Sequence, residues 1–178
     1  DDTRHAAAII RTLRSMFATG KGEFGRMDLA ALAQDVIDIV RARAERCGIE
    51  LDVDLNTPLP MMGDVTQLQQ VVLNVLNNAI DALVEKPGQP SRIQVKGTLR
   101  PGFVDLSIAD NGCGMDTSQH ADVFALFKTS KSQGMGVGLW LSQSIVTSHR
   151  GHLGFESEAG RGTVFLLSLP AREYGLTA

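Results

Sequence analysis

Asp110-Asn111-Gly112-Cys113-Gly114-Met115 closes a run in which Val104, Leu106 and Ile108 alternate with other residues. Alternation at period two marks a strand, so a carboxylate is fixed where the strand ends, and two glycines let the backbone turn sharply beside it. A carboxylate accepts hydrogen bonds, and it can take one from an exocyclic amino group such as that of adenine. Alone, an Asp-x-Gly-x-Gly turn is more often an ordinary loop. The segments around it give it weight.

Upstream, Asp64 is placed to cap a long helix that runs to about Glu85 and is stopped by Pro87-Gly88. At about 100° per residue, Gln70, Asn74, Asn77, Asn78 and Asp81 share one face, and Val72, Val75, Leu76, Ala79 and Leu83 lie opposite. A solvated helix face normally carries Glu, Lys and Arg, which favour helix, whereas Asn does not. The face is either an amide-rich surface or an oxygen-bearing shelf. Amide oxygens can ligate a hard cation such as Mg²⁺, which completes its shell with water and substrate phosphates.

Downstream, Gly134-Met135-Gly136-Val137-Gly138-Leu139 stands directly before a helix predicted over 138–148. Closely spaced glycines expose backbone N–H groups, and a helix start adds partial positive charge, so a phosphate chain can sit there. The alternative is a flexible linker with a helix cap. The spacing is neither Gly-x-x-x-x-Gly-Lys-Ser/Thr nor the dinucleotide fingerprint. Lys128 and Lys131 precede the cluster and can reach phosphates, and the Ser, Thr, Lys, Gln and Gly of residues 128–138 predict a mobile loop. Gly160-Arg161-Gly162-Thr163 reads as a hairpin turn, and Thr163 can bring a hydroxyl beside Asp110 if their strands are neighbours.

The 178 residues suit one domain plus an appendage, and 43% apolar content is enough for a core. No segment approaches the roughly 18 uninterrupted apolar residues of a membrane helix, and Asp1-Asp2-Thr3-Arg4 lacks the layout of a signal peptide. A net charge of −3 with scattered Lys and Arg gives no basic stripe, which argues against nucleic acid as a partner. Cys47 and Cys113 lack metal spacing and read as reduced thiols of a cytoplasmic protein.

Apolar residues at Ile9, Ile10, Leu13, Met16 and Phe17 predict a helix within residues 3–19, followed by a glycine-broken linker over 21–26. Asp28 is placed to cap a helix over Leu29–Arg46 with Leu32, Val36, Ile39 and Val40 on one face. Strands are expected at 49–55, 93–99, 103–109, 153–157 and 163–169, with Pro101-Gly102 as a tight turn and Pro58 and Pro60 in a loop. The order predicts an α+β two-layer sandwich, a mixed β-sheet with helices on one face. The domain would cover 27–170, after a helix over 1–20 and before a tail over 171–178.

The order Asn-rich helix, Asp-x-Gly-x-Gly turn, glycine-rich loop and Gly-x-Gly-Thr resembles the Bergerat-type ATP-binding domain. That domain is shared by sensor histidine kinases, gyrase-type topoisomerases, the ninety-kilodalton heat-shock chaperones and the mismatch-repair MutL proteins. The match spans roughly residues 64–169. Within that superfamily the chain looks most like a bacterial sensor histidine kinase related to nitrogen-regulation and oxygen sensors. The strings that carry this are Gln70-Val-Val-Leu-Asn74-Val-Leu-Asn77-Asn78-Ala79, Gly134-Met-Gly-Val-Gly138-Leu and Glu156-Ser-Glu-Ala-Gly-Arg-Gly-Thr163.

The resemblance implies ATP and Mg²⁺ as ligands. Asn78 would bind the metal and Asn74 would support it, with Asn74 and Lys131 as the catalytic pair. Asp110 would read the adenine amino group, Gly112 and Gly114 giving it room, and Thr163 would join through water. Lys131 and the amides of Gly136 and Gly138 would hold the phosphates. Asp81, Met115, Phe127, Thr129, Gly134, Val137 and Leu139 complete the implied nucleotide contacts, with Phe124 and Phe127 packing at the base of the lid.

This sequence departs from the family pattern at Leu126, where Pro is frequent, and at Lys128, where a second Phe is usual. A larger departure is the phosphoacceptor. His5, His120, His149 and His152 read as surface or capping residues, since none sits in the acceptor setting of His, an acidic residue and then proline. Residues 1–20 therefore resemble the tail of a second dimerisation helix, with the acceptor histidine upstream. The implied partners are that dimerisation domain, a response regulator receiver domain and a second copy of the full-length protein, with no membrane contact by this stretch. A chaperone- or topoisomerase-type ATPase would carry a water-activating acid where Asn74 stands, and a non-catalytic interaction module remains as the third reading.

Overall fold

Asp28 fixes how the domain begins. Its carboxylate accepts from the Ala30 N–H at 2.9 Å, capping the following helix, and from the Leu59 N–H at 2.9 Å, tying that helix start to a distant segment. The computed structural model describes residues 24–85, 90–127 and 136–172. In chain order these form β1 (Gly25–Asp28), α1 (Leu29–Arg46), β2 (Ile49–Asp54), β3 (Pro60–Gly63), α2 (Val65–Val84), β4 (Ser91–Arg100) and β5 (Phe103–Asp110). A 3-10 turn (Thr117–Asp122), α3 (Gly138–Ser148), β6 (His152–Glu158) and β7 (Gly162–Pro170) follow. The N-terminal helix expected within 3–19, the stop at Pro87-Gly88, residues 128–135 of the loop expected over 128–138 and residues 173–178 of the tail lie outside the described residues.

The five-stranded sheet runs β2-β4-β5-β7-β6, with β2 parallel to β4 and every other pair antiparallel. Its inward residues Ile93, Val95, Leu106, Ile108, Leu153, Leu167 and Leu169 meet the buried faces of the helices, and Val164 and Leu166 on the opposite side are exposed. This is the expected mixed sheet with one helical layer. Arg100 and Asp105 pair across the Pro101-Gly102 hairpin. Burial pushes the Asp105 carboxyl upward, but its bonds to Arg100 and Ser168 prevail and hold it below the ordinary range.

Two features differ from expectation. β1 and β3 pair antiparallel as a separate two-stranded ribbon, Gly25 opposite Gly63, where a linker through Arg26 and a proline loop were expected. Four residues each are too few to show an alternation. The ribbon is extended by a bridge from Met61 to Ala171 and by the Arg172 N–H bonded to the Pro60 carbonyl, so the start of the tail is tied down. On α1, Ile37 is buried and Ile39 is 68% exposed. The buried stripe of Leu29, Leu32, Ala33, Val36, Ile37, Val40 and Ala44 centres on Val40, and Ile39 falls about 100° away from it.

Both bonds of Asp28 are lost in Asp28→Ala, which leaves a helix start uncapped and the Leu59 N–H without its acceptor. Stability should fall by about 2 kcal/mol, read as a lower urea midpoint at unchanged slope. A midpoint equal to the wild type would show that the ribbon and α1 do not depend on this carboxylate.

Candidate functional site

Asp110 is the last residue of β5 and is buried. It lies in register with Thr163 of β7 on one side and with Ile93 of β4 on the other, so the Asp110 carboxylate and the buried Thr163 hydroxyl share one row of the sheet. The Asp110 side chain accepts from the Gly112 N–H at 2.8 Å, closing the turn on itself. Asn111 takes the Arg92 N–H at 2.8 Å and donates to the Pro90 carbonyl at 2.8 Å, pinning the turn to the start of β4. The Cys113 N–H donates to the Ala82 carbonyl of α2 at 3.3 Å, and the Cys113 carbonyl accepts from Gly160 at 2.7 Å. The turn is thereby held to a helix, a strand and the β6–β7 hairpin at once.

The glycines serve this backbone packing. Gly114 has φ +64°, and a Cβ there would lie 2.0 Å from the Glu158 carbonyl oxygen. Gly162 has φ +105°, and its Cβ would lie 2.0 Å from the Asp110 carbonyl oxygen. Both distances are far inside van der Waals contact, so any side chain must separate the two turns. Gly112 is similar, its Cβ position 2.8 Å from the Ala82 carbonyl oxygen and from the Asp110 carboxylate. The Asp-x-Gly-x-Gly turn and the Gly-x-Gly-Thr hairpin are two halves of one assembly.

The polar face of α2 divides in two. Asn74 donates to the Gly138 carbonyl at 3.2 Å and to the Ser142 hydroxyl at 3.2 Å, and its own oxygen accepts from Gln70 at 2.8 Å. This ties the shelf to the first turn of α3, which has no side-chain cap at Val137. Asn77 and Asp81, at the edge of this face, bond a different helix. Each accepts from the Arg43 guanidinium of α1 at 2.6 Å. Asn74, Asn78 and Ala82 are one helical turn apart, so they form a ridge about 12 Å long. One end of the ridge touches α3, the other touches the Asp110 turn, and Asn78 lies between them, half-buried.

Asp116 caps the 3-10 turn with Gln119. The Ser118 backbone N–H and hydroxyl hold its carboxyl below the ordinary range. Beyond it Phe124 packs edge-on against Phe155 at 5.7 Å. Phe127 does not join it: the ring is 62% exposed on a backbone with φ +63°, and its N–H bonds to the Gly136 carbonyl at 2.9 Å. Val137 is buried, and Leu139 packs against the core. Met115 is half-buried, and its N–H donates to Ser157 at 2.9 Å. Thr129, Lys131 and Gly134 lie outside the described residues.

Sequence reading did not single out Arg43 or Ser157. Arg43 sits on another helix, 34 residues before Asn77, where no local pattern signals the contact. Ser157 belongs to the string Glu156 to Thr163, but a lone serine in a strand carries no spacing signal. The capping role expected of a histidine falls to His149. It ends α3, buried, with Nε2 accepting from the Asp64 N–H at 3.0 Å and Nδ1 bonded to the Ile145 carbonyl, so it also buttresses the start of α2.

Residues 63–173 match the family model described as Histidine kinase-, DNA gyrase B-, and HSP90-like ATPase. Sensor protein FixL of Bradyrhizobium diazoefficiens is 31% identical over 173 residues, covering 94% of this chain and 33% of that protein. The chain thus spans about a third of the length of that relative and less of several others. Among solved structures, a mycobacterial sensor histidine kinase, MprB, is 29% identical with a TM-score of 0.73, over 84% of this chain and 98% of that one. Full-length ShkA in complex with AMPPNP is 25% identical with a TM-score of 0.73, over 85% of this chain and 32% of that one. With the Asn-rich ridge, the Asp110 turn and the Gly162-Thr163 strand all within the matched span, this chain belongs to the histidine kinase-, DNA gyrase B- and HSP90-like ATPase family.

Proposed function

We propose that this chain is the ATP-binding catalytic domain of a two-component sensor histidine kinase. It would pass the γ-phosphoryl group of Mg-ATP to a histidine on a dimerisation domain. The observation that carries the reading is the ridge of α2. It joins a buried carboxylate and hydroxyl suited to a base at one end to an uncapped, glycine-led helix start suited to phosphates at the other. The sensor-kinase names of the relatives and the AMPPNP bound by ShkA support it.

In this reading Asp110 accepts from the adenine amino group and Thr163 joins through water. Asn78 offers an amide oxygen to Mg²⁺. Among the described residues no group of three or more His, Cys, Asp or Glu could hold a metal. The fit is therefore to an ion carried mainly by phosphates and water, with one protein oxygen added. When bound, the metal neutralises phosphate charge. The N–H groups at Gly134, Gly136 and Gly138, with Thr129 and Lys131, hold the phosphate chain, and Met115, Phe127, Val137 and Leu139 flank the nucleotide mainly through backbone. Asp81 acts at one remove, by anchoring Arg43.

The transfer forms a P–N bond to the acceptor imidazole and breaks the bond to the β-phosphate oxygen, releasing ADP. Positioning and charge neutralisation supply most of such catalysis. Asn74 sits where a hydrolytic relative would need an acid. An amide takes no proton from water, and both ends of this one are engaged by Gln70, Gly138 and Ser142, so hydrolysis is disfavoured. The acceptor domain would lie upstream of β1. The whole protein would act as a homodimer, hand its phosphoryl group to a response regulator receiver domain, and keep this domain in the ATP-containing cytoplasm. No helix among the described residues is long and apolar enough to cross a membrane.

Asp110→Asn exchanges a charged acceptor for an amide and should weaken ATP binding more than tenfold in calorimetry; an unaltered affinity removes Asp110 from the base site. Mixed with Mg-ATP and a matched dimerisation domain bearing the acceptor histidine, the chain should place acid-labile phosphate on that partner. Label confined to this chain would contradict the division of labour.

A further inference from the structure

Ser157 lies on β6 in register with Thr163, which is in register with Asp110, so the three stand in one row across β6, β7 and β5. Its hydroxyl accepts from the Met115 N–H at 2.9 Å, donates to the Gly162 carbonyl at 3.0 Å and bonds the Thr163 hydroxyl at 2.8 Å.

The protons can be counted. A serine hydroxyl holds one proton and two lone pairs, a backbone N–H only donates, and a carbonyl only accepts. If Ser157 gives its proton to Gly162, its lone pairs are filled by Met115 and by the hydroxyl proton of Thr163. Each group is then used once, and the buried Thr163 hydroxyl has a home for its proton. Thr163 then keeps its lone pairs, and in the row it stands beside Asp110. The opposite assignment withdraws the Ser157 proton from Gly162 and turns the Thr163 proton toward the site.

The geometry points to Ser157 as a specificity-determining positioning residue. By drawing the Thr163 proton away from the site, it keeps the base end of the pocket lined with acceptors only. This inference rests on the reading of the site as a nucleotide pocket. An edge bearing an amino group, met directly or through water, satisfies such a row. An edge bearing an oxo group in the same place meets a carboxylate and a lone pair. Ser157 therefore adds to the discrimination between 6-amino and 6-oxo purine nucleotides that Asp110 begins.

The test compares ATP with inosine triphosphate by calorimetry on the wild type, Ser157→Ala and Ser157→Thr. In the alanine variant the Thr163 hydroxyl is free to turn and donate to an oxo group. The affinity ratio should fall by roughly fivefold or more, chiefly through tighter inosine triphosphate binding, while Ser157→Thr, which keeps a hydroxyl, holds the wild-type ratio. If Ser157→Ala unfolds, Ser157→Cys keeps the volume with a weak donor and acceptor, and its ratio should move toward one. An unchanged ratio, including proportional weakening of both nucleotides, overturns the inference and leaves Ser157 as a support for the Met115 backbone. Failure of the wild type to bind either nucleotide is a distinct result that overturns the nucleotide reading and this inference with it.

Discussion

The contact between two backbone turns governs where the chemistry of this domain sits. Gly114 lies against the Glu158 carbonyl and Gly162 against the Asp110 carbonyl, each closer than any side chain allows. That contact locks the end of β5 to the β6–β7 hairpin and keeps Asp110 and Thr163 abreast. The alternative, a turn free to open, would expose a carboxylate to water and part Asp110 from Thr163. A methyl group at either position must move backbone oxygens by about an ångström to reach even tight contact near 3 Å, and the paired strand ends cannot do this without giving up register. Placement of Asp110 and Thr163 therefore follows from packing that needs no ligand.

Helix α2 then sets the distance between the two ends of the site. Its ridge from Asn74 to Ala82 runs from α3 to the Asp110 turn, with Asn78 midway. Arg43 of α1 fixes the rotation of this helix. The Arg43–Asp81 pair is partly exposed, 42% and 32% for the two side chains, so its net energy is on the order of 1 kcal/mol or less. Its value is directional: one guanidinium engages two residues one turn apart, and a small rotation of α2 breaks both bonds. His149 does the same at the helix start by holding the Asp64 N–H.

Much of this was legible in the sequence because it is local. The long alternating strands, the caps at Asp28 and Asp64, the Pro101-Gly102 turn and the start of α3 at Gly138 depend on neighbours a few positions away, and they stand as expected. The adjacency of Thr163 and Asp110 was conditional on their strands being neighbours, and the pairing of β5 with β7 meets that condition. Illegible features share a different cause. The β1–β3 ribbon is four residues a side and depends on Asp28 reaching Leu59. The split of the Asn face depends on Arg43, contributed by a different helix. Ile39 was mistaken for core because a single stripe edge cannot be set from four apolar positions. Phe127 carries an aromatic ring but turns outward on a positive φ. The glycines of the Asp110 turn and of the hairpin also admit the carbonyls of Ala82, Glu158 and Asp110, contacts between distant segments that no local pattern shows.

The central claim is that the row of Asp110 and Thr163 reads a 6-amino purine while the α2 ridge serves its metal-bound phosphates. Calorimetric titration of the wild-type chain with ATP and with GTP, each with and without Mg²⁺, tests it most directly. ATP should bind at least roughly tenfold more tightly than GTP, and Mg²⁺ should strengthen ATP binding. Equal affinity for the two bases, or ATP binding indifferent to Mg²⁺, would contradict the account.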